Sequence, residues 1–188
     1  MKRIINTLLL LMFLSSCSSN YTPKPMEYFR IDFPQKQYQT YDSICPYTFE
    51  YPTYSKITKG LVEDEQPCWI NIVFPKFKAT VYLSYFSVGK NLPKLFEDCR
   101  SLAYKHDIKA DAINEVLYAD SSNNIYGMVY EIKGNAASSL QFYMTDSTKH
   151  FLRGSLYFDV KPNKDSLAPV VEFIQKDVKH LIETLHWK

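Results

Sequence analysis

Glycine is scarce in this chain: five residues among 188. None stands in the GxGxxG or GxxxxGK[ST] spacing that lets backbone N–H groups cradle phosphates. The nearest candidate, Gly134-Asn135-Ala136-Ala137, has no Lys-Ser/Thr after it and reads as a turn. Paired metal-ligand spacings, CxxC or HxxxH, are absent too, so no metal site is expected. No GxSxG elbow offers a strained nucleophile. The longest apolar run, Ile4 to Leu14, is eleven residues. A helix of that length rises about 16 Å, roughly half of a ~30 Å hydrocarbon core, so it cannot span a membrane as a permanent anchor. Charge of one sign is also lacking. The formal net charge is +2, and Lys2 and Arg3 alone account for it. The rest of the chain is balanced and carries no basic stripe, so nucleic acid is not an expected partner. No cofactor is expected either.

What is present at the start is ordered. Lys2 and Arg3 precede the apolar run, which ends in Leu14-Ser15-Ser16-Cys17. A positive start, a short apolar core and small residues before a cut site describe a secretory signal. The last four residues match the bacterial lipobox. Its chemistry needs a thiol for thioether attachment of diacylglycerol, and small neighbours that let the backbone lie in a peptidase groove. The expected organisation is a lipoprotein signal peptide over 1–16, a lipidated N-terminus and tether over 17–30, and a single α+β domain over 31–188. Cys17 is the lipid attachment site in this reading. The tether, with Pro23 and Pro25, reaches at most ~35 Å when extended.

Three further cysteines remain: Cys45, Cys68 and Cys99. Export places them where disulfides persist. Cys45 precedes Pro46 and Cys68 follows Pro67, both at strand starts, whereas Cys99 falls inside a helical pattern. The expected disulfide is therefore Cys45–Cys68, with Cys99 a small buried hydrophobe. The alternative, three reduced thiols, stays open at this point.

Strand patterns dominate the body. Tyr47, Phe49 and Tyr51 alternate with Thr48 and Glu50, up to Pro52. Cys68 to Phe74 is a denser apolar run, hence a more central strand. Pro75-Lys76 is a turn, and Phe77, Ala79, Val81, Leu83 and Tyr85 line one face of a long strand. Helical spacing takes over from Asn91 to His106, with Asn91 as N-cap. Ile113 to Tyr118 reads as a strand. Ile125 to Lys133, Ser139 to Thr145 and His150 to Val160 are three aromatic-rich strands joined by short turns. A last helix follows Asp165, read as its N-cap. Its stripe is Leu167, Val170, Val171, Ile174, Val178, Leu181, Ile182 and Leu185. The fold class is α+β: an antiparallel sheet of about six or seven strands flanked by two main helices. The element order and Phe49-Glu50-Tyr51-Pro52 resemble the PsbP/Mog1-like sandwich, an analogy of fold that says nothing about function.

Candidate chemistry is thin. Ser147 with His150 as its base, or His106 with Asp107, would be the catalytic pairs, but Asp146-Ser147-Thr148 is ordinary turn chemistry. No catalytic residue is assigned, and no small-molecule substrate is expected. The 15 Tyr, 12 Phe and 2 Trp carry more information. Tyr82 and Phe86 share a strand with Val81 and Tyr85 but face the other way. Either that second face exposes aromatics for protein or glycan binding, or the sheet is covered on both sides.

Longer segments carry a resemblance. They are Phe29-Arg30-Ile31-Asp32, Cys45 to Pro52, Cys68-Trp69-Ile70-Asn71, Phe74 to Ala79, Tyr104-Lys105-His106, Leu140 to Gly154, and Pro162-Asn163 to Trp187. Together they resemble the gliding-motility-associated lipoprotein GldD family of Bacteroidota. The resemblance implies a part in gliding machinery whose assembly is tied to type IX secretion, with other envelope proteins as partners. It maps the lipid-bearing cysteine to Cys17 and the Cys-Pro and Pro-Cys pair to Cys45 and Cys68. It supplies no catalytic residues. Acidic residues that would mark a surface lipoprotein are absent from Ser18-Ser19-Asn20-Tyr21-Thr22. The expected location is thus the outer membrane, lipid-anchored and periplasmic-facing. Three functions are carried forward: a non-enzymatic assembly or scaffold factor, an envelope enzyme, and a glycan-binding module. For the cysteines, a thiol count on denatured, unreduced mature protein should find one free thiol; three would refute the pairing.

Overall fold

A computed structural model describes residues 31–60 and 68–188. The expected signal peptide over 1–16, Cys17 and the expected tether over 17–30 lie outside the described residues. The unit considered below runs from Asp32 to Lys188.

Ten strands and two α-helices follow one another. They are β1 (Tyr38–Tyr41), β2 (Tyr47–Pro52), β3 (Lys56–Lys59), β4 (Ile70–Phe74), β5 (Ala79–Ser87), α1 (Leu92–Tyr104), β6 (Ala110–Asp120), β7 (Ile125–Gly134), β8 (Ser138–Thr145), β9 (His150–Phe158), α2 (Lys164–Glu183) and β10 (His186–Trp187). Seven strands form one sheet in the order β3-β4-β5-β9-β8-β7-β6, and β1-β2-β10 form a second, small one. All pairings are antiparallel. The α+β class and a seven-stranded main sheet agree with the sequence reading. Three short strands, β1, β3 and β10, are absent from the sequence reading, because YQTY, KITK and HW are too short to show a period.

Strand registers sort the side chains onto two faces of the main sheet. One face carries Ile72, Val81, Leu156 and Leu140 in a row across β4, β5, β9 and β8. All four are buried. Helix α2 and the small sheet cover this face. Burial of Val170, Ile174, Val178, Leu181 and Ile182 from α2 contributes roughly 2 kcal/mol each. The opposite face carries Phe86, Phe151 and Tyr143. Helix α1 lies over it, with the Phe96 ring 5.1 Å from Tyr143 and 5.9 Å from Phe151. The sheet is thus covered on both sides, which answers most of the question raised by the aromatics. At Gly154 the Phe142 ring replaces a side chain: an added Cβ would lie 2.1 Å from it.

Two helix starts differ from expectation. Asn163, not Asp165, caps α2: its side chain accepts from the N–H groups of Asp165 and Ser166. Asp165 falls in the first turn, where a negative charge suits the helix dipole. Asn91 precedes α1, but its Oδ1 accepts from the Gly89 N–H at 2.7 Å instead of capping the helix.

The β8–β9 turn is built on Asp146. Its Oδ1 accepts from the N–H groups of Thr148, Lys149 and His150 at 3.0, 2.8 and 2.8 Å. Ser147 takes a positive φ of 64° in that turn. Burial alone would raise the Asp146 carboxyl, but these backbone donors outweigh it and bring it down to about 2.

The most consequential polar feature joins the start of the domain to α2. Asp177 is 2 % exposed. Lys36 Nζ lies 2.6 Å from its Oδ1. The Tyr38 and Tyr54 hydroxyls donate to Oδ1 and Oδ2 at 3.1 and 2.7 Å. Lys36 also donates to the Phe173 carbonyl at 2.8 Å and sits 3.5 Å over the Phe173 ring. Phe33 stacks on the same ring at 4.5 Å. One turn on, Tyr38 stacks on His180 at 3.7 Å, and His180 meets Glu50 at 2.6 Å. Burial lowers the Lys36 pKa against the pull of Asp177, and burial raises that of Tyr38 to about 12.

Two outcomes follow from these polar contacts. Lys36→Met leaves the Asp177 carboxylate buried without its cation, and should lower the unfolding free energy by about 3 kcal/mol in urea titrations. A loss under ~1 kcal/mol would mean the pair is not a structural clamp. Asp146→Ala should destabilise the chain at neutral pH. Because the folded carboxyl lies below its unfolded value, that difference should hold above the unfolded value and fade as pH falls through about 2.

Candidate functional site

Each residue singled out from the sequence can now be placed. Ser147 occupies the exposed turn, and His150 opens β9 beside it. No hydrogen bond joins them. His150 Nδ1 instead meets the Tyr85 hydroxyl at 2.9 Å, and its ring stacks on Trp187 at 5.2 Å. Burial lowers the His150 pKa, opposed by Asp146. The histidine therefore ties β5, β9 and β10 together. His106 sits at the end of α1, 6.2 Å from the Tyr157 ring. Burial, and then the Arg153 charge, lower its pKa. Asp107 begins a short 3-10 turn, and no hydrogen bond or ion pair joins its side chain to His106. Gly134 adopts a positive φ of 107°, and Asn135 Oδ1 accepts from the Lys164 N–H at 2.9 Å. That segment is a hairpin turn that also braces the start of α2.

Cys45 and Cys68 are bonded, with Cα atoms 5.4 Å apart. The bridge links the approach to β2 with the approach to β4, and the Tyr47 hydroxyl donates to the Cys68 carbonyl at 2.8 Å beside it. Trp69 Nε1 donates to the Tyr85 carbonyl at 2.8 Å, fastening β4's entry onto β5. Closing a loop of 23 residues restricts the unfolded chain by roughly 3 kcal/mol in the chain-entropy account. Cys99 is free and buried in α1, and burial pushes its thiol up to about 12. It is an inert packing residue by that measure.

Tyr82 is the aromatic left open. It is 39 % exposed and meets Tyr157 edge to face at 5.9 Å, beyond the reach of α1. Thr80 and Asp159 border the same hollow. Phe86 and Tyr143, by contrast, are half-buried.

A longer groove runs between α2 and the outer strands β6 and β7. It consists of two hollows of about 380 and 370 Å³ that share Glu131, Glu172 and Gln175. Val116, Val129 and Ile182 line its apolar end. Beside it, Leu117 on β6 is 80 % exposed. Among the described residues no cluster of three or more His, Cys, Asp or Glu side chains is placed to hold a metal. No described helix is long and apolar enough to cross a membrane.

The sequence reading missed the Asp177 cluster. The signal was there: Asp177 lies three residues after Ile174 and four before Leu181, inside the apolar stripe of α2. A charge on a buried face demands a partner. The partners Lys36, Tyr38 and Tyr54 could not be named from spacing, since they come from the other end of the chain.

Comparison with known proteins adds the rest. A solution structure of cyanobacterial PsbP (CyanoP) from Synechocystis sp. PCC 6803 matches with a TM-score of 0.51 and 10% identity, over 82% of this chain and 95% of that one. At that identity the likeness concerns the fold alone, and it agrees with the PsbP-like architecture read from the sequence. Among curated proteins none matches the chain. The family model described as gliding motility lipoprotein GldD matches residues 18–187. With nearly the whole sequence inside that match, the chain belongs to the gliding motility lipoprotein GldD family.

Proposed function

We propose that this gliding motility lipoprotein is a non-enzymatic assembly or scaffold factor, held at the periplasmic side of the outer membrane and linked to type IX secretion. Residues 1–16 act as the signal peptide, Cys17 carries the lipid, 17–30 form the tether and 31–188 form one working domain. Its partners are the membrane, through acyl chains, and other gliding or secretion proteins of the envelope. The lipobox and the uncharged residues Ser18 to Thr22 support the anchor and its orientation.

One observation carries the scaffold reading. The polar side chains that a catalyst would need free are committed to holding elements together. Asp177 clamps the start of the domain to α2, His150 bridges Tyr85 and Trp187, and Asp146 folds its own turn. Open hollows remain between α2 and the outer strands, on the side where β6 is left unpaired by any described strand. A glycan-binding reading has the Tyr82–Tyr157 hollow in its favour, but its two rings already brace each other edge to face.

The anchor is the point at which the reading is tested. Each buried CH₂ of the acyl chains contributes about 0.8 kcal/mol, so two or three chains hold without a protein partner. Cys17→Ala should release a folded, soluble domain to the periplasm and abolish gliding. Retention of that variant on membranes after salt washing would refute the lipid as main anchor. Protease added to intact cells should leave the wild-type protein uncut; digestion without lysis would refute the periplasmic orientation.

A further inference from the structure

The two edges of the main sheet are built differently. β3, at one edge, has four residues and a lysine at each end, Lys56 and Lys59. Short length and lysines are ordinary protection against strand addition. β6, at the other edge, has eleven residues and contains no lysine, arginine or proline. Its pairing with β7 is regular from Ala112 to Asp120, with the only register shift at the Ala110/Ala112 end. Along that stretch alternate residues turn their N–H and C=O groups outward. No described strand pairs with them. Val116 and Leu117, on opposite faces, are 47 % and 80 % exposed. A long, regular, apolar edge of this kind is a template for another strand.

We propose that the outer edge of β6 receives an extended segment of a partner protein as an eighth strand, with side chains alternating between apolar and basic. Charge decides the composition. Glu115 lies on the Ile113–Leu117 face of β6 and is held only by the Tyr104 hydroxyl at 2.9 Å. Glu131 lies on the other face, paired across from Asn114. No described cation forms an ion pair with either carboxylate. An added strand sits about 5 Å from β6, and its alternation puts every basic side chain on one face, where they reach Glu115. Its apolar side chains then fall on the Val116 face and extend the floor of the groove against α2. The same charge argument disfavours a second copy of this chain. Antiparallel pairing of two β6 edges about Glu115 or Val116 sets the two Glu115 carboxylates opposite or diagonal to each other and supplies no cation.

The surface rests on the scaffold reading only in needing a protein partner, and it is tested separately, on purified protein. Full-length lipoprotein in detergent is titrated with a peptide of alternating valine and lysine, about nine residues long to match a strand of this size. Amide exchange is followed along the chain. Expected is slowed exchange confined to β6, binding weakened about tenfold by Leu117→Lys or Glu115→Lys, and no response to the valine–glutamate counterpart. Leu117 is exposed enough for its substitution to leave the fold intact, which unchanged exchange in β8 and β9 verifies. Equal binding of the acidic peptide, or no slowing at β6, would overturn the proposal. So would slow exchange, in the free protein, of those β6 amides that point away from β7. If Leu117→Lys relieved that slowness by dissolving a dimer, the edge would belong to a second copy. If deletion of residues 18–30 relieved it, the occupant would be the chain's own tether. Motility of the Cys17→Ala strain can succeed or fail independently of these outcomes.

Discussion

A single buried carboxylate sets the arrangement of this domain. Asp177 is buried on α2 beneath the start of the folded chain, where an unpaired charge would be costly. Its three close donor contacts come from Lys36, Tyr38 and Tyr54, all within the first part of the folded chain. Satisfying that charge therefore requires the segment before β1 to cross α2 and stay there. Once it does, Phe33 stacks on Phe173, Tyr38 stacks on His180 and β1 is delivered to the edge of β2. The apolar stripe of α2 fixes which face meets the sheet. The carboxylate fixes what closes over the outside.

Aromatic packing and the disulfide complete the same junction. Tyr41, Tyr47 and Phe49 stack in succession across β1 and β2. The Cys45–Cys68 bridge stands at the foot of that stack and holds β2 to the approach of β4. Tyr85 reaches from β5 to Tyr47 on one side and to His150 on the other. Gly154 lies beneath Phe142 and leaves room for that ring.

Much of this was legible in the sequence, for identifiable reasons. Long elements with a clear period, such as α2 and the β7–β8–β9 meander, follow from burial of one face or both. The antiparallel α+β class follows from their order and short turns. The paired cysteines stand beside prolines at strand starts, which marked them. What escaped was of two kinds. β1, β3 and β10 are too short for alternation to register, and they exist because a neighbouring strand recruits them. The Asp177 cluster and the placing of His150 against Tyr85 and Trp187 are contacts between distant parts of the chain, which spacing does not encode. Ser147 and His150 are neighbours in sequence, yet the turn that Asp146 builds directs them to different work.

The small sheet gives the domain an unusual order in time. Its middle strand, β2, is flanked by β1 from the beginning of the fold and by β10 from the last residues of the chain. Lys36 likewise waits for Asp177, and Asp42 for Lys188. A chain leaving the ribosome or a translocation channel N-terminus first cannot make these contacts until its final residues are free. Local helices and the β7–β8–β9 meander can form earlier, but closure is a late event with a high sequence separation. The segment before β1 is thus the first part of the domain to emerge and the last to be secured. Until then its aromatic residues stay open to water and to whatever chaperones attend the growing chain.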